Sequence, residues 1–372
     1  MKVATSIAIG KQADSALASQ AALQAMDKAG ITIANSVLLL LSSEFASDPQ
    51  PAILAAAKAA NCTQVFGCSA SGIFTEDDWV LDSPAAAVMV FGGEVSIQQA
   101  DLNHASQPLL TLTAPNALNN DWLQDGQVRY GGVSGDAVGH GPFSVWKNAK
   151  GESTGHIEAF IKGTKLVSKA SHGLKFLTKP KKIQQANGYD VEFVGNQAAY
   201  LALKKAWNTH GKASASSKGN RSGKNEVPLP SHLVMATYAD SAEAILNGEF
   251  EQTSVISFNE ENDSITLAQA LKANQYLCWG VRDKTAAESD LLLTSIQLTE
   301  QLKALPDFGL LFSCLGRGPF YDGIDHDLNV ITKQFPEMPL LGFYGNGEIA
   351  SVAGKNQLLS YSAVLSLFSK LS

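Results

Sequence analysis

The chain is poor in cysteine, and its four thiols, Cys62, Cys68, Cys278 and Cys314, fall into no C-x-x-C pair. No histidine spacing completes a zinc pattern around them, so a structural metal knuckle is excluded. A chain of 372 residues does not need disulfide staples, and reduced thiols in the cytoplasm are expected. No run of about 18 uninterrupted apolar residues occurs, which excludes a membrane-spanning helix. Met1-Lys2 leads straight into an apolar strand, with no secretory signal in series, which also points to a cytoplasmic location. Charged residues are only 17% and hydrophobic ones 45%, a balance that argues against wholesale disorder. The net charge of −7 argues against general adhesion to nucleic acid or anionic membrane. Catalytic fingerprints are missing too: there is no G-x-S-x-G, no Walker A, no H-E-x-x-H and no dinucleotide fingerprint at Gly10-Lys11-Gln12.

Charge is spread unevenly. Residues 121–230 carry 16 lysines and arginines against 8 acids, so a basic middle sits in an otherwise acidic chain. That stretch reads as a solvated face or as a surface for an acidic partner.

The chain is long enough for two domains. Val3–Ile9 is an apolar strand, and Asp14–Ala29 carries Leu17, Ala21, Ala22 and Met26 on a helical period up to Gly30. Val37–Leu41 is a continuous apolar run, typical of a strand buried on both faces. Ile53–Ala60 is helical, Gln64–Gly67 a strand, Cys68–Gly72 a small-residue turn and Ala85–Phe91 a strand. The C-terminal end gives the same order: strand Tyr276–Val281, helix Ala286–Leu302, strand Phe308–Phe312, loop Ser313–Gly323 and helix Leu328–Phe335. Leu340–Gly342 then enters a turn at Phe343–Gly347, and Ser362–Phe368 closes as a strand. Gly67 and Gly72 match Gly342 and Gly347, both as G-x-x-x-x-G after an apolar strand.

These features predict an α/β (α+β) fold with pseudo-two-fold internal duplication. Two related β-α-β-α-β units are expected to flank a mostly antiparallel, strand-rich middle, read at Val128–Val133, Phe143–Trp146, Gly155–Ile161, Lys165–Ser168 and Val191–Phe193. Gln197–Asn208 is expected to be an amphipathic helix and His210–Glu226 a surface loop.

The strongest local signals are two glycine-rich strand ends, Phe312-Ser313-Cys314-Leu315-Gly316-Arg317-Gly318 and Gly342-Phe343-Tyr344-Gly345-Asn346-Gly347-Glu348. Open α/β sheets place ligand crevices at the carboxyl ends of their strands. Glycines there let a ligand approach backbone N–H groups, and Arg317 with Glu348 offers one cation and one acid. The alternative is an ion pair bracing two turns. The expected ligand site takes Cys68, Ser69, Gly72, Cys314, Gly316, Arg317, Gly318, Tyr344, Gly345 and Glu348.

These residues carry a family resemblance. Leu310–Gly318, Phe335–Pro339 and Gly342–Ile349 resemble the pattern of the FIST C-domain, named for F-box proteins and intracellular signal transduction. Val37–Phe74, with Phe66-Gly67-Cys68-Ser69-Ala70-Ser71-Gly72, and Gly131-Gly132-Val133-Ser134-Gly135-Asp136 are similar to the FIST N-domain. The resemblance implies an N-domain over 1–195 and a C-domain over 196–372. It departs at Ile73 and Phe74, where many members have an acid and then an apolar residue.

What the resemblance implies is a cytoplasmic sensor that binds a small polar ligand such as an amino acid. It would relay to a separate signalling protein such as a histidine kinase or cyclase. No cofactor is expected, except that a subgroup of stand-alone members binds haem and senses nitric oxide. For that alternative His172 and His140 are the candidate ligands; covalent c-type attachment is excluded because no C-x-x-C-H is present. A third alternative is a thiol-dependent enzyme using Cys68 or Cys314 with His172 or His326. Buried filler remains the ordinary role for either thiol.

Overall fold

The computed structural model describes residues 2–100, 107–136, 138–216 and 228–371. They fall into two compact units, Met1–His172 with Ala287–Ser372, and Gly173–Ala286. The expected family boundary at 195/196 falls inside the second unit.

The first unit is built from three six-stranded sheets. The first runs in the order Lys2–Ile9, Ala85–Gly92, Ser36–Ser42, Val65–Ala70, Val145–Lys147, Lys150–Gly151. The second runs Ser96–Gln99, His156–Lys162, Leu109–Thr113, Arg129–Val133, Glu348–Val352, Lys355–Leu359. The third runs Thr164–Ser171, Ala363–Lys370, Phe308–Cys314, Leu340–Gly345, Gly72–Thr75, Trp79–Leu81. All three share one pattern: two antiparallel steps, one parallel pair, then an antiparallel hairpin.

The α+β class stands, and the strand order recurs three times rather than twice. The middle is not a plain antiparallel meander, because Leu109–Thr113 and Arg129–Val133 run parallel. The third copy opens at Thr164–Ser171, not at Tyr276–Val281, which pairs within the second unit. Each copy sends its hairpin to another sheet. Gly72–Leu81 leaves the first sheet's parallel pair and joins the third; Glu348–Leu359 leaves the third and joins the second; Val145–Gly151 leaves the second and joins the first.

Side-chain alternation explains the layers. One face of the three sheets supplies a shared central core with Leu38, Leu40, Phe66, Leu110, Leu112, Tyr130, Leu310, Phe312 and Phe343. The opposite face of the first sheet, with Leu39, Leu41, Val88 and Val90, packs on helices Ala16–Ala29 and Gln50–Ala59. Alanines 18, 21, 22 and 25 form the buried stripe of the first helix, and small side chains let it lie close to the sheet. Gly30 ends it in the left-handed conformation, φ 62°. The outer face of the third sheet packs likewise on helices Lys284–Leu302 and His326–Gln334, through Leu291, Leu298, Leu328 and Ile331.

Each parallel pair is brought together over one glycine. A Cβ on Gly67, Gly131 or Gly342 would lie 1.7, 1.9 or 2.1 Å from the carbonyl oxygen of Leu39, Thr111 or Leu311, its neighbour on the parallel partner. No side chain fits there.

The second unit is an antiparallel ring. Tyr276–Arg282, Lys181–Asn187, Asp190–Val194, Ser264–Leu267, Glu251–Asn259 and Val234–Ala239 pair in turn, and the last returns to Tyr276–Arg282. Ile183, Val191, Ile265, Leu277 and Trp279 fill its core with Tyr200 and Leu203 of the helix Ala199–Ser216. That helix runs past Asn208, where a loop was expected, and residues 217–227 lie outside the described ones. Among the described residues no helix is long and apolar enough to cross a membrane.

Candidate functional site

The three parallel pairs of the first unit end together. Gly135 N–H donates to the Ser69 carbonyl (3.2 Å), and Ser71 Oγ donates to the Gly135 carbonyl (3.2 Å). Asn346 donates through its backbone N–H to Val133 O (3.1 Å) and through Nδ2 to Ser134 O (3.2 Å). These bonds tie the strand ends of all three copies into one junction.

Strand alternation then sets which side chains face the core there. Beyond Leu40 comes Ser42, beyond Cys68 comes Ala70, beyond Leu112 comes Ala114, beyond Gly132 comes Ser134, beyond Phe312 comes Cys314, and beyond Phe343 comes Gly345. The last inward layer is therefore made entirely of small residues, all buried.

Beside this layer the three hairpins place one residue each at the same register. Ile73 stands opposite Phe343, Val145 opposite Cys68, and Glu348 opposite Gly132. Two copies thus close the junction with apolar side chains, and the third puts in a carboxyl group. Glu348 is fully buried, and neither of its oxygens finds a hydrogen-bond partner of normal geometry among the described residues. Burial drives its pKa well above the carboxylate range; Ser362 N–H, the Arg317 charge and the Cys314 thiol oppose this, and the charge of Asp327 adds to it. Burial thus favours its neutral form, which can donate as well as accept a hydrogen bond. Ser134 Oγ, also buried, has no partner either. Buried polar groups are nearly always paired, so two orphans in one junction call for an explanation.

Arg317 occupies the helix-facing side of the third sheet. It is fully buried. Its Nε donates to Asp327 Oδ2 (2.7 Å), Nη1 to Ser171 O (2.8 Å), and Nη2 to Ser171 Oγ (2.9 Å) and Ala287 O (3.0 Å). Ser171 Oγ in turn donates to Asp290 (2.7 Å). The guanidinium therefore braces the fold, and its principal partner is Asp327 rather than Glu348. Tyr344 lies on the same side and donates its hydroxyl to Asp325, which also caps the helix His326–Gln334 through Leu328 N–H. Burial and the neighbouring Asp327 charge raise Asp325 to about 6.

The remaining expected residues divide in the same way. Cys314, Gly345 and Glu348 meet at the inner junction, with Cys68 one layer below. Ser69 bonds its Oγ to the Ser144 backbone, accepting from N–H at 3.2 Å. Gly72 pairs with Tyr344, and Gly316 and Gly318 lie in the loop around Arg317. Burial pushes the Cys68 thiol up, so it stays protonated. His326 is bound by Glu288 and Asp322, both at 2.7 Å. His172 is buried, with Nδ1 3.5 Å from Ser362 Oγ, while His140 is exposed and its backbone N–H donates to Asp136. Two surface cavities that sequence reasoning missed, of 540 and 520 Å³, are lined by neither histidine. The larger lies at the carboxyl ends of Lys2–Ile9 and Ser36–Ser42, with Asp14, Glu44 and Asp48 around it. The cue for it was present in the sequence, since Gly10–Asp14 and Ser42–Gln50 are the loops after two buried strands. Among the described residues no cluster of His, Cys, Asp and Glu has the makings of a metal site.

Fold and site together define an α+β protein with a buried, partly unsatisfied polar junction at converging strand ends. Residues 221–351 match the FIST C domain, a match that suggests a domain of the signal-transduction, sensor type. The matched span includes Cys314, Arg317, Tyr344 and Glu348. The chain is also similar to an uncharacterised protein of Mycobacterium tuberculosis (strain CDC 1551 / Oshkosh), 24% identical over 395 residues that cover 99% of this chain and 100% of the relative. An uncharacterised protein of Mycobacterium bovis (strain ATCC BAA-935 / AF2122/97) is 32% identical over 122 residues, 32% of each chain.

Proposed function

We propose that the protein is a cytoplasmic small-molecule sensor whose ligand is held at the strand-end junction of the first unit and whose output passes to a separate signalling protein. The observation that carries this reading is the Glu348 carboxyl group, fully buried and without a hydrogen bond of normal geometry beside a layer of small side chains. Leaving a buried polar group unmatched costs about 1–3 kcal/mol. A ligand that supplies the missing hydrogen bonds recovers that loss, which gives it selective affinity. The resemblance between residues 1–195 and the FIST N-domain supports the same assignment, with Ser134 contributed from that half. A histidine kinase or cyclase is the class of partner such a domain serves.

A thermal-shift screen of small polar metabolites tests this. A bound ligand at about a hundred times its Kd adds about 2.7 kcal/mol of stability. The expected result is stabilisation by a metabolite that emerges chemically unchanged, with the effect reduced in Glu348→Gln. Conversion of the hit, followed by mass spectrometry, would replace the sensor with an enzyme. Uptake of added haem with a Soret band that responds to nitric oxide would replace the metabolite with haem. No stabilisation by anything would sink the reading.

A further inference from the structure

If the strand-end junction is the ligand site, its charges restrict what it can take. Arg317 is the cation that the strand-end pattern offers to a ligand. Its Nε, Nη1 and Nη2 all donate to protein acceptors, with no solvent exposure. Around this one guanidinium stand the acids Asp327, Asp290 through Ser171, and Asp325 behind Tyr344, with the protonated Glu348 adding no charge of its own. The acids outnumber the fixed cation, so the field at the junction favours an incoming positive charge. The unfilled capacity lies in the two carboxyl oxygens of Glu348 and the hydroxyl of Ser134, and once the carboxyl loses its proton both Glu348 oxygens are acceptors.

We propose that, on this reading of the site, the ligand group recognised is an ammonium nitrogen seated between Glu348 and Ser134, and that no ligand carboxylate is held by Arg317. The copies that carry Ile73 and Val145 at this register have nothing to offer such a group, which leaves one ammonium-binding position among the three equivalent ones around the junction. The proton balance is defined. Glu348 carries a proton in the free protein. An arriving ammonium ion sends that proton to solvent, and an arriving neutral amine accepts it. Either way the bound state is a carboxylate–ammonium pair in a buried setting, where charge-assisted bonds are strong.

The groups facing Glu348 decide how pH enters. Arg317 keeps its charge throughout. Asp327 is paired with it, and Cys314 contributes a thiol from the third sheet. His172, next to Ser362, is the neighbour whose residue type changes charge near neutrality. A His172→Gln variant therefore serves as a control.

The experiment is calorimetric titration of the full chain with methylamine, ethylamine and 1,4-diaminobutane, beside acetate and ethanol, from pH 6 to 9. An amine should bind where acetate and ethanol do not. Its affinity should rise up to tenfold per pH unit below the Glu348 pKa, with about one proton released to buffer at low pH. The slope should persist in His172→Gln. Glu348→Gln should weaken amine binding at least tenfold and flatten the slope. Proton release is read on the unaltered protein, so the test does not depend on that variant folding. If acetate or ethanol binds as well as the amines, and Glu348→Gln abolishes it, the junction is a ligand site and the ammonium assignment is wrong. If none of the probes binds and the metabolite screen is also empty, both the assignment and the sensor reading fail.

Discussion

At Arg317 the sequence offered two roles for the side chain, a ligand fork or a brace, and burial decides between them. The guanidinium joins the strand end at Ser171, the helix start at Ala287 and the carboxylate of Asp327 without touching solvent. Removing one member of a buried pair leaves the other charge uncompensated, which costs about 3–5 kcal/mol. Arg317→Ala should lose that much in urea denaturation, and Arg317→Lys should recover only part, because an ammonium cannot reproduce the planar fork. A loss below about 1 kcal/mol would contradict the brace. Asp325 carries a second, pH-dependent effect. Its carboxyl titrates near the ordinary aspartate value when unfolded and at about 6 in the fold. Between these values the folded state binds the extra proton, so this contribution to stability falls as pH rises from about 4 to 6 and does not return above 6. The change is on the order of 2–3 kcal/mol. Asp325→Asn keeps a good helix cap and an acceptor for Tyr344, and should flatten stability across that window. An unchanged pH profile would show that another group dominates there.

At the level of elements, what the sequence disclosed was local. The alanine stripe of Ala16–Ala29, the run Val37–Leu41 and the two G-x-x-x-x-G strand ends all report neighbours close in the chain or a backbone that must approach another. Strand pairing is not local, and period-two alternation does not name a partner. The apolar run Tyr276–Val281 therefore read as the opening of a repeat, although it belongs to the ring of the second unit. Strand ends were also read short. Val65–Ala70 and Leu340–Gly345 extend into the expected turns, because the swapped hairpins supply ladder partners that no local pattern announces. The third copy was nevertheless visible in one residue, Gly131, which shares the contact made by Gly67 and Gly342. Gly131→Ala should therefore be as damaging as Gly67→Ala or Gly342→Ala, costing about 3 kcal/mol or more by overpacking against backbone. Gly188→Ala, at φ 58° with open space around its Cβ, should cost only about 1–2 kcal/mol. Urea midpoints that rank Gly131→Ala with Gly188→Ala would refute the equivalence of the three parallel pairs.

The whole molecule follows from where the chain leaves and re-enters the first unit. It departs after His172 and returns at Ala287, with the second unit between. Ser171 and Ala287, beside those two crossings, both accept hydrogen bonds from one guanidinium, at 2.8 and 3.0 Å. Ends this close are the geometry in which a domain can be inserted or removed without opening its host. The second unit has its own core around Ile183, Ile265 and Trp279. Replacing residues 173–286 by a short Gly/Ser linker should then leave the first unit folded, with one cooperative thermal transition and a dispersed NMR spectrum. The span matched by the FIST C domain, 221–351, should behave in the opposite way when expressed alone. It begins inside the second unit and stops before Ala363–Lys370, the strand that lies between Thr164–Ser171 and Phe308–Cys314. Without that strand the parallel pair of the third sheet has an open edge, and the Glu348–Val352 strand has lost the sheet it completes. The fragment should show poor dispersion and aggregate, while the linker variant stays monodisperse. A well-folded 221–351 fragment, or a linker variant that fails to fold, would show that the two compact units are not separable in this way.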